Sequence, residues 1–354
     1  MAVVKTPICP RRRKARSHLA AAAAIGLTGL TAPVPATAAN GCAAPNDLFL
    51  NPFTYRSAHH RPIGSGAVYA PDSEPTTQGW LLASGSWRVN SNNGWGRNVF
   101  LTTEADPETL ISWSGDFGGT GLPTQMRVTA GAANGRVSDS IVILVNGDTA
   151  QEFYRWWDNN GAPTAAIRRD WSLRDTGHGS SPWQLVGVSA SGQAGLFGLL
   201  RGFEINTPGQ RIEHVLTSAI PPTLLSASGE ILWPATGYDG CVKQGCTSGN
   251  IPYGALFALP PPERGGPDLA ALGLSEPGLR LAEALRDYGT YVQDKGANLT
   301  MPADQQVAPA LIPTLNHDLN IVQPYLRMVT NNARGQETSG GGSPRAPNCA
   351  FDAP

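Results

Sequence analysis

Lysine is almost absent from this sequence beyond residue 38, where only Lys243 and Lys295 occur. Six of the 26 basic residues lie in the first 38 positions, which contain no acidic residue, so 20 basic and 27 acidic residues remain, a net charge of −7. A nucleic-acid surface needs clustered cations that replace the counterions of the phosphates. The rest of the chain has no such cluster, so we expect no nucleic-acid partner.

Long apolar runs are also missing. No stretch after residue 38 approaches the roughly 20 apolar residues that a bilayer-spanning helix needs. We therefore expect no membrane span in this part of the chain. Separately, we expect the protein to be monomeric.

Several catalytic motifs are absent as well. The chain contains no Gly-x-Ser-x-Gly elbow, no phosphate-binding glycine loop before a helix, no His-Glu-x-x-His motif and no zinc spacing of cysteines. We therefore predict no catalytic metal and no organic cofactor. A structural calcium ion in an acidic loop remains an open alternative.

Residues 1–38 have the three parts of a secretory signal peptide. A basic start is followed by an apolar stretch from residue 19 to 30 and by a small-residue cleavage site, Ala36-Thr37-Ala38. The mature chain is predicted to begin near Ala39 and to be exported, either to the periplasm or out of the cell. The general and the twin-arginine export routes both remain open.

Four cysteines remain after the signal peptide, and an even number in an exported chain favours disulfides. One pairing joins Cys42 to Cys349 across the two ends of the domain and closes a small loop between Cys241 and Cys246. It is one of three possible pairings.

Short β signals recur along the chain and indicate a single mainly β domain over residues 39–332. The clearest covers 138–157, where Asn146-Gly147 separates two apolar runs and favours a hairpin, with a third strand over 165–173. We predict a two-sheet β-sandwich of jelly-roll type. Further predicted strands are 80–90, 98–103, 126–129, a hairpin at 201–217, 230–234 and 255–259.

Helical patterns come late in the chain. A helix is predicted from Ser275 to a stop at Gly289, and a second one over 311–326, kinked or shortened by Pro324. Both are expected to pack on the sandwich. Residues 333–354 are rich in glycine, serine and proline, which predicts a flexible tail unless Cys349 holds it.

The predicted hairpin at 201–217 is the leading site candidate. Its Pro208-Gly209 turn would place Glu204 opposite Glu213, and two carboxylates facing each other raise the pKa of one of them. Arg201 is expected either to contact a substrate carboxylate or to neutralise Glu204.

A second acid is predicted on the strand before residue 157. Strand alternation would put Glu152, Tyr154 and Trp156 on one face. An acid beside aromatic rings is typical of a sugar site, because rings stack on pyranose faces and carboxylates bind hydroxyls or transfer protons. A half-buried strand with core aromatics is the equal alternative.

Three histidines complete the candidates. His214 is either a base in the site or a core residue, and the adjacent pair His59 and His60 either contacts substrate or is simply exposed; metal binding is not indicated. Asp116, in the glycine-rich segment 114–119, either approaches a ligand or serves a turn.

Five stretches spread over most of the mature chain form a combined pattern. They are His59-His60-Arg61-Pro62-Ile63-Gly64, Glu152-Phe153-Tyr154-Arg155-Trp156, Arg201-Gly202-Phe203-Glu204-Ile205-Asn206-Thr207-Pro208-Gly209, Ile251-Pro252-Tyr253-Gly254-Ala255-Leu256 and Asp287-Tyr288-Gly289-Thr290-Tyr291-Val292. In this combination the chain resembles a group of exported bacterial proteins. The resemblance implies one domain over most of the mature chain and implies no particular reaction.

These patterns together predict a secreted glycoside hydrolase that acts on a polysaccharide. Glu152 and Glu204 would be its acid pair, with Tyr154 and Trp156 as sugar platforms. Two alternatives remain open: a polysaccharide lyase with His214 or Tyr154 as base, and a glycan-binding or envelope protein without catalysis.

Overall fold

The computed structural model describes residues 42–43, 45–83, 85–91, 96–134, 140–158 and 161–353. The predicted signal peptide and the turn residues Asn159 and Asn160 lie outside these ranges. The described strands are, in chain order, β1 (Arg88–Asn90), β2 (Arg97–Leu101), β3 (Glu108–Trp113), β4 (Thr124–Arg127), β5 (Ile141–Asn146), β6 (Thr149–Tyr154), β7 (Trp157–Asp158), β8 (Pro163–Ala165), β9 (Ile167–Ser172), β10 (Leu216–Ile220), β11 (Leu256–Ala258), β12 (Thr290–Lys295), β13 (Thr300–Pro302) and β14 (Arg327–Met328).

The helices are few and mostly short. They are α1 (Pro75–Leu82), α2 (Gly202–Asn206), α3 (Gly240–Lys243), α4 (Glu276–Asp287) and α5 (Ile312–Val322), with single 3₁₀ turns such as Ala58–His60 between other elements. None of the described helices is long and apolar enough to cross a membrane.

The mainly β class is confirmed, but the strands form three sheets instead of the two predicted. Their orders are β1-β13-β10-β12-β11-β14, β2-β5-β6-β9 and β4-β3-β8-β7. Every sheet mixes parallel and antiparallel pairs, since β10/β12, β2/β5 and β3/β8 run parallel. The predicted jelly roll, which is antiparallel, is therefore not confirmed.

The predicted three-stranded meander is confirmed and lies in the β2-β5-β6-β9 sheet. Strands β5 and β6 form the hairpin around Gly147, whose φ of 56° suits the turn, and β9 pairs antiparallel with β6. The first five residues of β5, residues 141–145, are apolar and buried because this part of the strand is covered on both faces. Ile143 packs in one core cluster and Leu144 in another.

Two predicted strands are shorter than expected or replaced by other structure. Residues 80–82 are the end of helix α1, and only the last three residues of the segment 80–90 pair as β1. Segment 230–234 makes a single bridge, between Ile231 and Tyr253. Strands β2, β4 and β11 agree with prediction to within a few residues.

Both late helices are confirmed. The Ser275 hydroxyl accepts the Gly278 N–H at 3.1 Å and begins α4, while Gly289, at φ 82°, follows its end. Helix α5 ends at Val322, before Pro324. The two helices bury leucines in the largest core cluster, under the six-stranded sheet.

The C-terminal residues are held to the domain, which is the case that the sequence left open if Cys349 is bonded. Disulfides join Cys42 to Cys349 and Cys241 to Cys246, the pairing considered from the sequence. The tail also bridges the N-terminal part through Ile63 and Ser339. These contacts bury Ser339 and bring the two ends of the domain together.

Candidate functional site

The segment 201–217 does not form the predicted hairpin. Residues 202–206 form helix α2, and the following strand begins only at residue 216. The helix start is satisfied by two acids: Glu204 Oε2 accepts the Arg201 N–H at 3.0 Å, and Asp304 Oδ1 accepts the Gly202 N–H at 2.9 Å. Glu204 and Glu213 are therefore not cross-strand partners.

The end of α2 is satisfied by one side chain from α4. The Arg280 guanidinium donates to the carbonyl oxygens of Glu204, of Ile205 at 3.0 Å and of Gln210 at 2.7 Å. The carbonyls of Glu204 and Ile205 have no partner within a helix of one turn, so the buried arginine supplies the missing donors.

Arg201 is an internal ion-pair partner. Its Nε donates to Asp304 Oδ2 at 2.9 Å, and both side chains are almost fully buried. Its Nη1 donates to the Phe49 carbonyl at 2.9 Å. The Arg201 guanidinium can remain buried because Asp304 neutralises its charge.

Glu204 and His214 form a second buried ion pair. His214 Nε2 lies 2.9 Å from Glu204 Oε1, and His214 Nδ1 lies 2.6 Å from the Val215 carbonyl oxygen. Both ring nitrogens face oxygen atoms, an arrangement that an imidazolium satisfies by donating from both nitrogens. Burial lowers the pKa of His214, but the charge and hydrogen bond of Glu204 outweigh it and the net shift is upward.

His59 and His60 lie against this pair. The His59 ring stacks on His214 with centroids 4.3 Å apart and meets His60 edge-on at 4.6 Å. His59 Nδ1 accepts the Gly198 N–H at 3.0 Å, and His60 Nε2 donates to the Pro52 carbonyl at 2.8 Å. Both rings are buried, so the predicted surface patch is instead part of the core.

Both of these histidines are neutral. Burial, together with the neighbouring charges of His214 and Arg201, lowers the pKa of His59 well below 6.5. Burial also lowers the pKa of His60 to about 3. The cluster therefore carries its positive charge on His214, where Glu204 balances it.

We expect the protein to lose stability between pH 7 and pH 5. Burial lowers the pKa of His60 to about 3 and that of His178 to about 4, whereas the unfolded chain titrates near pH 6.5. The unfolded state then binds more protons, so each histidine lowers the free energy of unfolding by about 2 kcal/mol at pH 5. Asp294, whose pKa burial raises to about 6, and His214, whose pKa burial lowers by less than Glu204 raises it, oppose the effect.

Urea unfolding at the two pH values measures this loss, and NMR of the ring protons shows which histidines titrate. Equal stability at pH 5 and pH 7, or a His60 ring that titrates near 6.5 in the folded protein, would contradict the expectation.

Glu213 lies beside the same ion pair. Its Oε2 accepts the Ala43 N–H at 2.6 Å, and Arg211 Nη1 is 3.5 Å from its Oε1. It shares a pocket with Glu204 and His214, and this pocket has room for about one water molecule. The other lining residues are Pro45, Leu50, Asn51, Phe203, Gln210 and Arg211.

The residues around Glu213 do not fit a metal ion. Among the described residues, the one group of three potential ligands close together consists of Cys42, Glu213 and Cys349. Both cysteines are in a disulfide and offer no thiolate, which leaves one carboxylate where calcium needs six or more oxygens.

Glu152 lies in a different buried network. It accepts hydrogen bonds from the Trp171 indole at 2.8 Å and from the N–H groups of Gly195 at 2.8 Å and Val188 at 3.2 Å. Burial raises the pKa of Glu152, with Arg97 and these bonds opposing the shift. The side chain is fully buried and holds the 188–195 loop against β6.

The aromatic residues predicted beside Glu152 separate. Arg155 has a φ of 56°, which breaks the strand alternation, and Trp156 turns back to pack on Phe153 with centroids 5.2 Å apart. Trp156 is almost fully buried and is a core residue. Tyr154 stays half-buried, with its ring 5.5 Å from Phe117.

An exposed aromatic cluster that the sequence analysis missed lies next to Tyr154. Trp113, at the end of β3, is 48% exposed and donates its indole N–H to the Asp116 carbonyl at 2.6 Å. A Cβ on Gly119 would lie 2.9 Å from the Trp113 ring, so only glycine lets the ring rest there. Gly119 therefore lies against one face of the indole, and the hydrogen bond to the Asp116 carbonyl fixes the edge of the ring.

Phe117 extends this cluster. It is 58% exposed although its φ is 52°, a conformation that costs a phenylalanine free energy. The Arg155 guanidinium lies 5.1 Å from its ring centroid and 3.0 Å from an Asp116 carboxylate oxygen. The sequence signal for this cluster is the glycine-rich segment 114–121 that follows Trp113.

The chain was compared with protein-family models, with curated proteins and with solved structures, and no significant match was found in any of the three.

Proposed function

We propose that the mature chain is an exported glycan-binding protein whose binding surface is the aromatic cluster of Trp113, Asp116, Phe117 and Arg155. The observation that carries this proposal is the half-exposed Trp113 ring, fixed by its indole hydrogen bond and backed by Gly119. A rigid aromatic face binds the apolar side of a pyranose with little loss of side-chain entropy.

The polar groups of the cluster suit the rim of such a site. Asp116 is 51% exposed and Arg155 is 32% exposed, and together they offer acceptors and planar donors to sugar hydroxyls beside the rings. Exposed aromatic residues grouped in this way are typical of interaction surfaces. Export is supported by the predicted signal peptide and by the two disulfides.

The predicted hydrolase is the second candidate. It is favoured by one observation: Glu204, Glu213 and His214 line the same pocket. The pocket admits about one water molecule, so a sugar ring would have to displace the chain around it. Glu152, the other predicted acid, would contribute only after its three hydrogen bonds were broken.

The lyase alternative has less support. A general base needs a free lone pair toward the substrate, and His214 faces oxygen at both ring nitrogens. Tyr154 remains half-exposed and is the base that this alternative retains.

We expect Trp113→Ala to weaken polysaccharide binding about tenfold, as for an aromatic residue at the centre of an interface. Binding is measured by calorimetry and affinity electrophoresis against bacterial and plant polysaccharides. Trp157→Ala is the matched control. Trp157 is 45% exposed, and its register through Thr164 places it on the opposite sheet face from Trp113.

The same panel separates the candidates. New reducing ends would support the hydrolase, and products that absorb in the ultraviolet would support the lyase. Equal affinities of wild type and Trp113→Ala, or an equal loss in Trp157→Ala, would remove the proposed surface.

A further inference from the structure

We propose that a second subsite, formed by Trp183, Tyr238 and Lys243, binds a carboxylate-bearing sugar unit, a uronate, within the glycan. This inference deepens the proposed glycan binding and rests on it.

Trp183 presents an aromatic face to solvent. The side chain is 54% exposed, although the residue has a φ of 67°. Its backbone is held on both sides: its N–H donates to the Thr236 carbonyl at 2.5 Å, and its carbonyl accepts the Leu185 N–H at 3.1 Å. The left-handed backbone at Trp183 and the exposure of its large apolar ring each cost stability. Both features favour a binding role over a packing role.

Tyr238 and Lys243 surround this ring. Tyr238 meets Trp183 edge-on with ring centroids 4.9 Å apart, so it supports the indole without covering its face. The Lys243 ammonium lies 5.4 Å from the ring centroid. The arrangement places an aromatic surface and a positive charge side by side.

The charge on Lys243 would distinguish an anionic sugar from a neutral one. In the part of the chain that the structure describes, Lys243 forms no ion pair. The other lysine beyond residue 38 is Lys295. Lys295 is paired with Asp239 at 3.2 Å, which neutralises the acid nearest in sequence to Lys243. An ammonium without an ion-pair partner, placed over an exposed ring, is suited to an anionic group of a ligand.

The lysine is also held in place. It ends α3, whose N-cap Asp239 accepts the Cys241 N–H at 3.0 Å, and the Cys241–Cys246 disulfide closes the turn around it. A cation on a closed turn loses less entropy on binding than one on a free loop. A pyranose stacked on Trp183 would bring a ring carboxylate to the ammonium, whereas a neutral sugar would use the ring alone.

Three uronate polymers, polygalacturonate, alginate and hyaluronate, test the inference, with methyl-esterified polygalacturonate as the uncharged match. We expect Lys243→Gln to weaken binding of one of these anionic polymers about threefold and to leave binding of the ester unchanged. Lys243→Arg should retain the affinity. Trp183→Ala should weaken both about tenfold, and added salt should remove only the Lys243 effect.

Binding of a uronate polymer that does not change in Lys243→Gln, or no binding of any of the three by the wild type, would overturn the inference. Neutral polysaccharides distinguish this from failure of the proposed function. If these bind and Trp113→Ala weakens them, the first surface stands without the second subsite. Lys243 is exposed, so circular dichroism and thermal melting of its variants should match the wild type.

Discussion

Replacing both Cys42 and Cys349 with serine should lower the free energy of unfolding by about 5 kcal/mol. The disulfide joins residues 307 positions apart, so in the chain-entropy description it removes a very large loop from the unfolded ensemble. It also holds Ala43, whose N–H donates to Glu213, against the pocket at α2. Urea unfolding of the purified variant, compared with the wild type without reductant, measures the change.

The second disulfide is an internal control. Cys241 and Cys246 are five positions apart, and the same description gives about 2 kcal/mol for so small a loop. The double serine variant at these positions should therefore unfold at a higher urea concentration than the first variant. If the order were reversed, the loss would come from local packing instead of loop closure.

Replacing Glu204 with glutamine should lower the free energy of unfolding by about 3 kcal/mol at pH 7. Glutamine keeps an oxygen for the Arg201 N–H but removes the charge that balances His214. An imidazolium left alone in a buried site costs several kcal/mol or loses its proton. We therefore expect the pKa of His214 to fall from its raised value to below the ordinary value of 6.5 in the variant.

The sign of the pH dependence follows from that shift. The pKa of His214 is raised in the folded wild type, so its contribution to stability is fully present below pH 6.5 and is lost as the pH rises through the folded value. In Glu204→Gln this contribution should disappear. NMR titration of the His214 ring and urea unfolding across the pH range measure the two effects.

A double-mutant cycle shows whether the loss belongs to the pair. His214→Gln alone leaves a buried carboxylate, whereas Glu204→Gln combined with His214→Gln leaves none, so the combined loss should be smaller than the sum of the single losses. Glu104→Gln is the surface control. Its side chain is 82% exposed, and its ion pair with Arg127 should contribute less than about 1 kcal/mol.

The candidate site illustrates where sequence reasoning ended. Glu204 and Glu213 were predicted to share a face across a hairpin, and they do line one pocket, but a helix and a loop bring them there. The local pattern around Pro208 and Gly209 contains no sign of Asp304 or Arg280, which cap the two ends of α2. The expected position of Trp156 beside Tyr154 differs from the structure because Arg155 has a left-handed backbone conformation, which reverses the alternation of side chains along the strand.

The sequence by itself determined the elements whose causes are local. The Asn146-Gly147 turn and its flanking alternation specify the β5–β6 hairpin, and the Ser275 cap, Gly289 and Pro324 delimit the late helices. Only the tertiary structure decided the fold of α2, the anchoring of the C-terminal residues and the charge on His214. The first two depend on partners far away in the chain, Asp304 for α2 and Cys42 for the C-terminal segment. The charge on His214 depends on Glu204, which α2 brings against it inside the fold. A buried group takes its conformation and protonation from whatever surrounds it, and those surroundings exist only after the chain has folded.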